Sequence, residues 1–248
     1  MRGFLSALSF LTVVPVPRRV HSDLAGLRAS LGWYPAVGIL LGAVNWAVFS
    51  MLAGTPVVAA LGATVAAFVM TRGLHVDGLA DSADALMAGG TPARRHEILK
   101  DPRHGTFGVL AIVLDVLSRV IILASVGPTA PMAVFIMPVV GRWAMVYSLS
   151  RTAYDPKGKL KAAAAGAGKQ SLGWATVTVV GVGALFGRLG GHTEWAQAIA
   201  AVGMLLLIVP AWLKVVRTRL GAVPGDAMGA LNEGAELLVL CLFYAFGR

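Results

Sequence analysis

The chain has a single cysteine, Cys241, and little charge: Asp, Glu, Lys and Arg make up 13% of its 248 residues, and only 12 residues are acidic. One cysteine excludes an intrachain disulfide and any thiolate metal cluster. Scarce charge, 57% hydrophobic residues and a mean hydropathy of +0.75 together exclude an ordinary soluble domain. The composition reads as a polytopic membrane protein. What charge there is leans positive, at +9. A basic excess suits either nucleic acid or the cytoplasmic loops of a membrane protein, and the placement of the charges decides between them. The N-terminus, MRGFLSALSFLTVVPVPRR, has the early Arg and short apolar run of a signal peptide. It ends in Pro-Val-Pro-Arg-Arg instead of a small-residue cleavage site, and is read as retained.

Residues 3–14 are too short to cross a hydrocarbon core, which takes about 20 apolar residues, and are expected to form an interfacial helix. Seven apolar runs follow: 30–53, 56–70, 107–126, 132–149, 172–186, 195–213, and a last run that ends at Phe246. Gly38 and Gly42, at GxxxG spacing in the first run, suit close helix packing. Gly127-Pro128-Thr129-Ala130-Pro131 is a turn by composition. Counting seven crossings puts the Lys and Arg clusters on one side: the N-terminal region, the stretch around Arg94 and Arg95, the loop with Arg151, Lys157, Lys159, Lys161 and Lys169, and Lys214 to Arg219. By the positive-inside rule that side is cytoplasmic, and of the acids only Glu194 faces out. The expected architecture is an all-α polytopic membrane bundle, one integral-membrane domain over 1–248, with about seven spans and an N-terminal interfacial helix. No partner nucleic acid is implied.

The scarce acid is not spread evenly. Asp77, Asp81, Asp84, Glu97 and Asp101 all fall between His75 and Gly108. At about 100° per residue, Asp77, Asp81 and Asp84 share one stripe of a helix. Carboxylates so placed repel one another unless a positive charge lies between them. A solvated acidic face is the bland reading. The long apolar runs on either side weigh against it, because unpaired charge near lipid is costly. Carboxylates are hard oxygen ligands, and without a Cys or His cluster nearby they favour Mg²⁺ or Mn²⁺ over Zn²⁺. His75 then serves as a substrate or supporting contact, or as a structural hydrogen-bonding residue. Arg103, Gly105 and Gly108 follow, and an Arg beside a glycine turn at the start of a helix suits phosphate.

A second group, Asp226, Gly229, Glu233 and Glu236, lies on one side of a helix at the entry of the last run. A helix-dipole role explains Asp226 but not Glu236, about three turns further on. Two cations, Arg119 and Arg142, fall inside apolar runs. Asp115, four residues before Arg119, offers an intrahelical ion pair. Arg142 has no local partner, and is expected to bind an anionic substrate or the acidic stripe. Carboxylates at one membrane face with Arg nearby point to phosphoryl or phosphodiester transfer on a pyrophosphate-activated substrate. An ion-coupled transporter would instead gather its acids near the midplane.

These residues also carry a family resemblance. H-x-D-G-L-A-D-x-x-D from His75, K-D-x-R-x-G-T-x-G from Lys100, F-L-T-x-x-P-V-P at the N-terminus, P-x-V-G-x-L-L-G from Pro35 and G-D-x-x-G-A-x-x-E-x-x-E from Gly225 resemble the cobalamin synthase (adenosylcobinamide-GDP ribazoletransferase) family. The likeness runs in the same order from about Phe4 to Glu236. It implies a multi-span enzyme of the bacterial inner membrane, with its site on the cytoplasmic face. Such an enzyme joins adenosylcobinamide-GDP to α-ribazole or its 5′-phosphate and releases GMP with Mg²⁺. It implies Asp77, Asp81, Asp84 and Asp101 as metal and catalytic carboxylates, completed by Asp226, Glu233 and Glu236. His75 joins the catalytic set, and Arg94, Arg103, Arg142, Gly105 and Gly108 are the expected substrate contacts. Membrane lipid and other cobalamin-assembly enzymes are the implied surroundings. Ala85, Pro102, Arg119 and the stretch around Tyr154 and Gly158 depart from the family's usual pattern. A weaker likeness, Asp81-x-x-Asp84 followed by Ala93-Arg94, is to the CDP-alcohol phosphotransferases, as an analogy of chemistry.

Overall fold

A computed structural model describes residues 2–17, 24–126, 130–151, 168–188 and 192–246. Every regular element among them is helical. In chain order these are α1 (Arg2–Leu11), α2 (Leu24–Ser30), α3 (Tyr34–Met51), α4 (Pro56–Thr71), α5 (Leu74–Met87), α6 (Pro92–Ile98), α7 (Thr106–Ser125), α8 (Ala130–Arg151), α9 (Lys169–Arg188), α10 (His192–Leu220) and α11 (Asp226–Phe246). A 3₁₀ turn, Leu31–Trp33, joins α2 to α3. The Gly127 to Thr129 turn, most of the basic loop with Lys157, Lys159 and Lys161, and the Tyr154 to Gly158 stretch lie outside the described residues, as does the side chain of Glu194.

Among the described residues, five helical segments are long and apolar enough to cross a membrane: Arg28–Met51, Thr106–Ser125, Pro131–Arg151, Ala196–Leu220 and Asp226–Phe246. The count of seven from the sequence is higher for two reasons. The second apolar run, α4, has only 16 residues and passes the same test only together with α5, from which it is bent by 90°. The run at 172–186 lies in α9, which is not among the five; its polar first turn and its glycines dilute its apolar character. Arg2–Leu11 is a short apolar helix, as its length requires.

The outer helices keep apolar side chains such as Leu114, Leu117 and Ile121 exposed, as lipid-facing surfaces do. Helix α8 is the reverse, with Ala133 to Leu149 almost wholly buried among α3, α9, α10 and α11. Small residues set these approaches. A Cβ on Gly38 would stand 2.6 Å from the Pro138 carbonyl oxygen, and one on Gly42 would collide with that of Phe135, so the GxxxG pair seats α3 backbone against α8.

The same device crosses α5 over α11. A Cβ on Gly78 would meet the Asp226 carbonyl oxygen at 2.7 Å, and one on Gly229 would meet that of His75 at 2.8 Å. Both acidic segments therefore meet through their own glycines. The elbow that turns α5 out of line with α4 is made by Arg72 (φ 54°) and Gly73 (φ 65°), two successive left-handed residues. Gly73 suits that conformation and Arg72 does not.

Candidate functional site

The acid stripe forms on α5 as its spacing requires, and its members differ sharply in environment. The Asp77 side chain is 66% exposed and that of Asp81 19% exposed. Asp84 is buried. Both Asp84 oxygens are engaged: one accepts from the Gly105 N–H at 2.6 Å, the other from the Gly108 N–H at 2.8 Å. Free N–H groups at a helix start favour an anion, and Asp84 is that anion for α7. Gly105 and Gly108 make room for it, since a Cβ on either would collide with the carboxylate.

His104 lies over the open end of the stripe, its Nε2 3.8 Å from Asp77 Oδ1 and its Nδ1 3.5 Å from Asp81 Oδ1. Its position in the turn before α7 carries no sequence signature. Asp226 approaches from α11 through the Gly78–Gly229 crossing. Asp77, Asp81, Asp226 and His104 thus make one polar face. Arg95 is buried and donates to the carbonyls of Ala85 (3.0 Å) and Leu86 (2.6 Å), closing the C-terminal end of α5.

Other residues expected at the site stand elsewhere. Asp101 is held by Arg103, which reaches its two oxygens at 2.9 and 2.8 Å from a solvent-exposed position. Those hydrogen bonds keep the Asp101 carboxyl down at about 2. Arg94 pairs with Glu97 on the surface at 2.8 Å. Glu233 and Glu236 begin two turns and more beyond Asp226, and at 1.5 Å per residue Glu236 lies roughly 15 Å further along the helix. They belong to a buried ion cluster and not to the polar face.

In that cluster the guanidinium of Arg119 is fully buried and meets three carboxylates. Its Nε donates to Asp115 at 2.9 Å, Nη1 to Glu236 at 2.8 Å and Nη2 to Glu233 at 2.5 Å. The intrahelical pair of Asp115 with Arg119 forms as its spacing suggested. Arg142, unpartnered in the local sequence, donates to the other Glu236 oxygen and lies 3.3 Å from His75 Nδ1. Asn232 donates to both glutamates at 3.1 Å. His75 faces this cluster while Asp77 faces the open side, because residues two apart on a helix point in different directions. The charges inside the spans compensate one another, which is how a bundle tolerates them.

Among the described residues, no three His, Cys, Asp or Glu side chains converge as a ready-made metal cage. A hard ion such as Mg²⁺ does not require one, since it is commonly held by one or two carboxylates with water and substrate phosphates filling its other positions. Asp77 and Asp81, neighbours on the open face, are the carboxylates that would hold such an ion. Both Asp84 oxygens already accept backbone N–H groups, from Gly105 and Gly108.

Fold and site define a class: a polytopic all-α membrane protein with a carboxylate-rich polar face where α5, α7 and α11 meet. Residues 3–244 match the cobalamin-5-phosphate synthase family, and the chain belongs to it. Its relatives include adenosylcobinamide-GDP ribazoletransferases. That of Desulforamulus reducens is 36% identical over 95% of this chain and 93% of the relative. That of Pseudomonas fluorescens is 37% identical over 94% and 95%, and that of Syntrophobacter fumaroxidans 37% over 96% of each. No solved structure matches the chain.

Proposed function

We propose that the protein transfers the cobinamide phosphate of adenosylcobinamide-GDP to a hydroxyl of α-ribazole or its 5′-phosphate, releasing GMP. The observation that carries this reading is the meeting of Asp77, Asp81 and Asp226, with His104 over them, beside a helix start already neutralised by Asp84. The ribazole hydroxyl oxygen bonds to the phosphorus that stays with cobinamide. The bond from that phosphorus to the GMP oxygen breaks, and the hydroxyl proton passes to a carboxylate of the face. Asp77, the most open of the three α5 carboxylates, suits the hydroxyl. Mg²⁺ on Asp77 and Asp81 would offset the charge gathering on the departing GMP.

The same reading places the face at the cytoplasmic side of a bacterial inner membrane. Lys214, Arg217 and Arg219 end α10 just before Asp226, and Gly221 packs against Pro92 of α6, so this basic end adjoins the segment holding Arg94, Arg95 and Arg103. That distribution supports an inward orientation.

The experiment is GMP release by the detergent-purified protein from adenosylcobinamide-GDP and α-ribazole, with Mg²⁺ or with a chelator. Wild type is expected to be active only with the divalent ion, and Asp81→Asn to lose activity by orders of magnitude. Mg²⁺ is expected to raise the melting temperature of wild type far more than that of Asp81→Asn. Unchanged GMP release in Asp81→Asn would rule out the acid face as the reacting site.

A further inference from the structure

A cleft of about 510 Å³ opens beside the acid face, between α1, the elbow of α4 and α5, and α7. That volume lies within the range of small-molecule sites. Phe10 of α1 and Phe68 of α4 give it aromatic surface, while Asp77 and His104, members of the acid face, line it as well. Arg72 lines it from the elbow. Arg72 is the one non-glycine residue with positive φ among the described residues, at a helix end where glycine or asparagine is usual. It is exposed and has no ion-pair partner among the described residues.

We propose that this cleft is the seat of the acceptor and that Arg72 makes it selective for an acceptor bearing a phosphate. The inference rests on the transferase reading above and specifies which part of the protein distinguishes its two acceptors. The acceptor has an aromatic base for Phe10 and Phe68, a ribose hydroxyl for Asp77, and in its phosphorylated form a dianion on a separate carbon of the same sugar. One cleft that presents aromatic rings, a carboxylate continuous with the reacting face and an uncommitted guanidinium matches those three parts. A lipid tail would use the rings but leave the Arg72 charge without a partner.

Arg72→Gly removes the guanidinium and suits the left-handed backbone, so the elbow is retained. It is expected to raise KM for α-ribazole 5′-phosphate by about tenfold or more, the loss of one charge-assisted hydrogen bond. KM for α-ribazole and for adenosylcobinamide-GDP should stay at the wild-type values, and Arg72→Lys should recover most of the loss. Phe68→Ala should raise KM for both acceptors and not for the donor. An equal effect of Arg72→Gly on both acceptors, an effect on the donor instead, or none would overturn the proposal. Should wild type release no GMP with either acceptor, the transferase reading fails, and the cleft is judged by binding alone. For that, Phe10→Cys in a Cys241→Ser background is alkylated with and without α-ribazole 5′-phosphate. Protection by the phosphate that disappears when Arg72→Gly is added supports the cleft assignment. Protection by phospholipid alone, or none by the ribazole phosphate, overturns it.

Discussion

Arg119 Nη1 lies 2.8 Å from Glu236 Oε2, across 117 residues of chain and between two helices long and apolar enough to cross a membrane. The contact works because a planar guanidinium forks, so Asp115, Glu233 and Glu236 each take a different nitrogen. Removing the cation leaves three buried carboxylates with too little compensation. Arg119→Met is expected to cost about 3–5 kcal/mol of stability. Arg119→Lys, a compact charge that cannot reach three partners in fork geometry, should fall between it and wild type. Thermal melting in detergent without added metal measures both, and a wild-type melting temperature for Arg119→Met would show that the cluster does not hold the bundle together.

The three α5 aspartates should separate under one substitution. Asp84→Asn replaces an oxygen that accepts a backbone N–H with an amide that cannot, and should cost about 1.5–3 kcal/mol in the metal-free protein. Asp77→Asn and Asp81→Asn relieve repulsion between neighbours and should leave metal-free stability unchanged or higher. Equal destabilisation by all three would mean that Asp77 and Asp81 also serve the fold.

The Asp101–Arg103 pair has a pH signature of defined sign. With its carboxyl lowered to about 2 by the Arg103 hydrogen bonds, Asp101 favours the folded state above its ordinary value of 3.8. That contribution fades as pH falls through the folded value near 2. Asp101 is partly exposed and Arg103 almost fully so, which keeps the effect on stability small, and the readout is the titration itself, followed by carboxyl chemical shift in the metal-free protein. Arg103→Ala should return the midpoint toward the ordinary range. A midpoint unmoved by Arg103→Ala would show that the pair does not form.

Orientation is checked from outside the cell. In a Cys241→Ser background, Thr91→Cys at the start of α6 should be shielded from an impermeant thiol reagent in intact cells, and Thr55→Cys in the turn before α4 should react. Both positions are exposed on the protein, so the membrane is what separates them. Labelling of Thr91→Cys with silence at Thr55→Cys would invert the topology and move the acid face to the outside.

Local chemistry was legible in the chain before any folding was considered. Apolar runs dictated an all-α membrane bundle, since only helices satisfy their own backbone within one segment in lipid. The Asp77, Asp81 and Asp84 stripe, the Asp115–Arg119 pair and the close approach of Gly38 and Gly42 all follow from helical periodicity, which acts over a few residues. What each group does with its charge was decided at longer range. Asp84 was one aspartate of three until the turn at Gly105 brought N–H groups to it, and backbone donors have no residue type by which to be recognised. Glu233 and Glu236 shared a helix face with Asp226, yet their depth along α11 put them against Arg119 and Arg142. His104 had no spacing to mark it and gained its place from the turn that begins α7. Periodicity fixes which side chains share a face of one helix; which faces meet depends on the packing of helices far apart in the chain, and here glycines at Gly78 and Gly229 permit the approach.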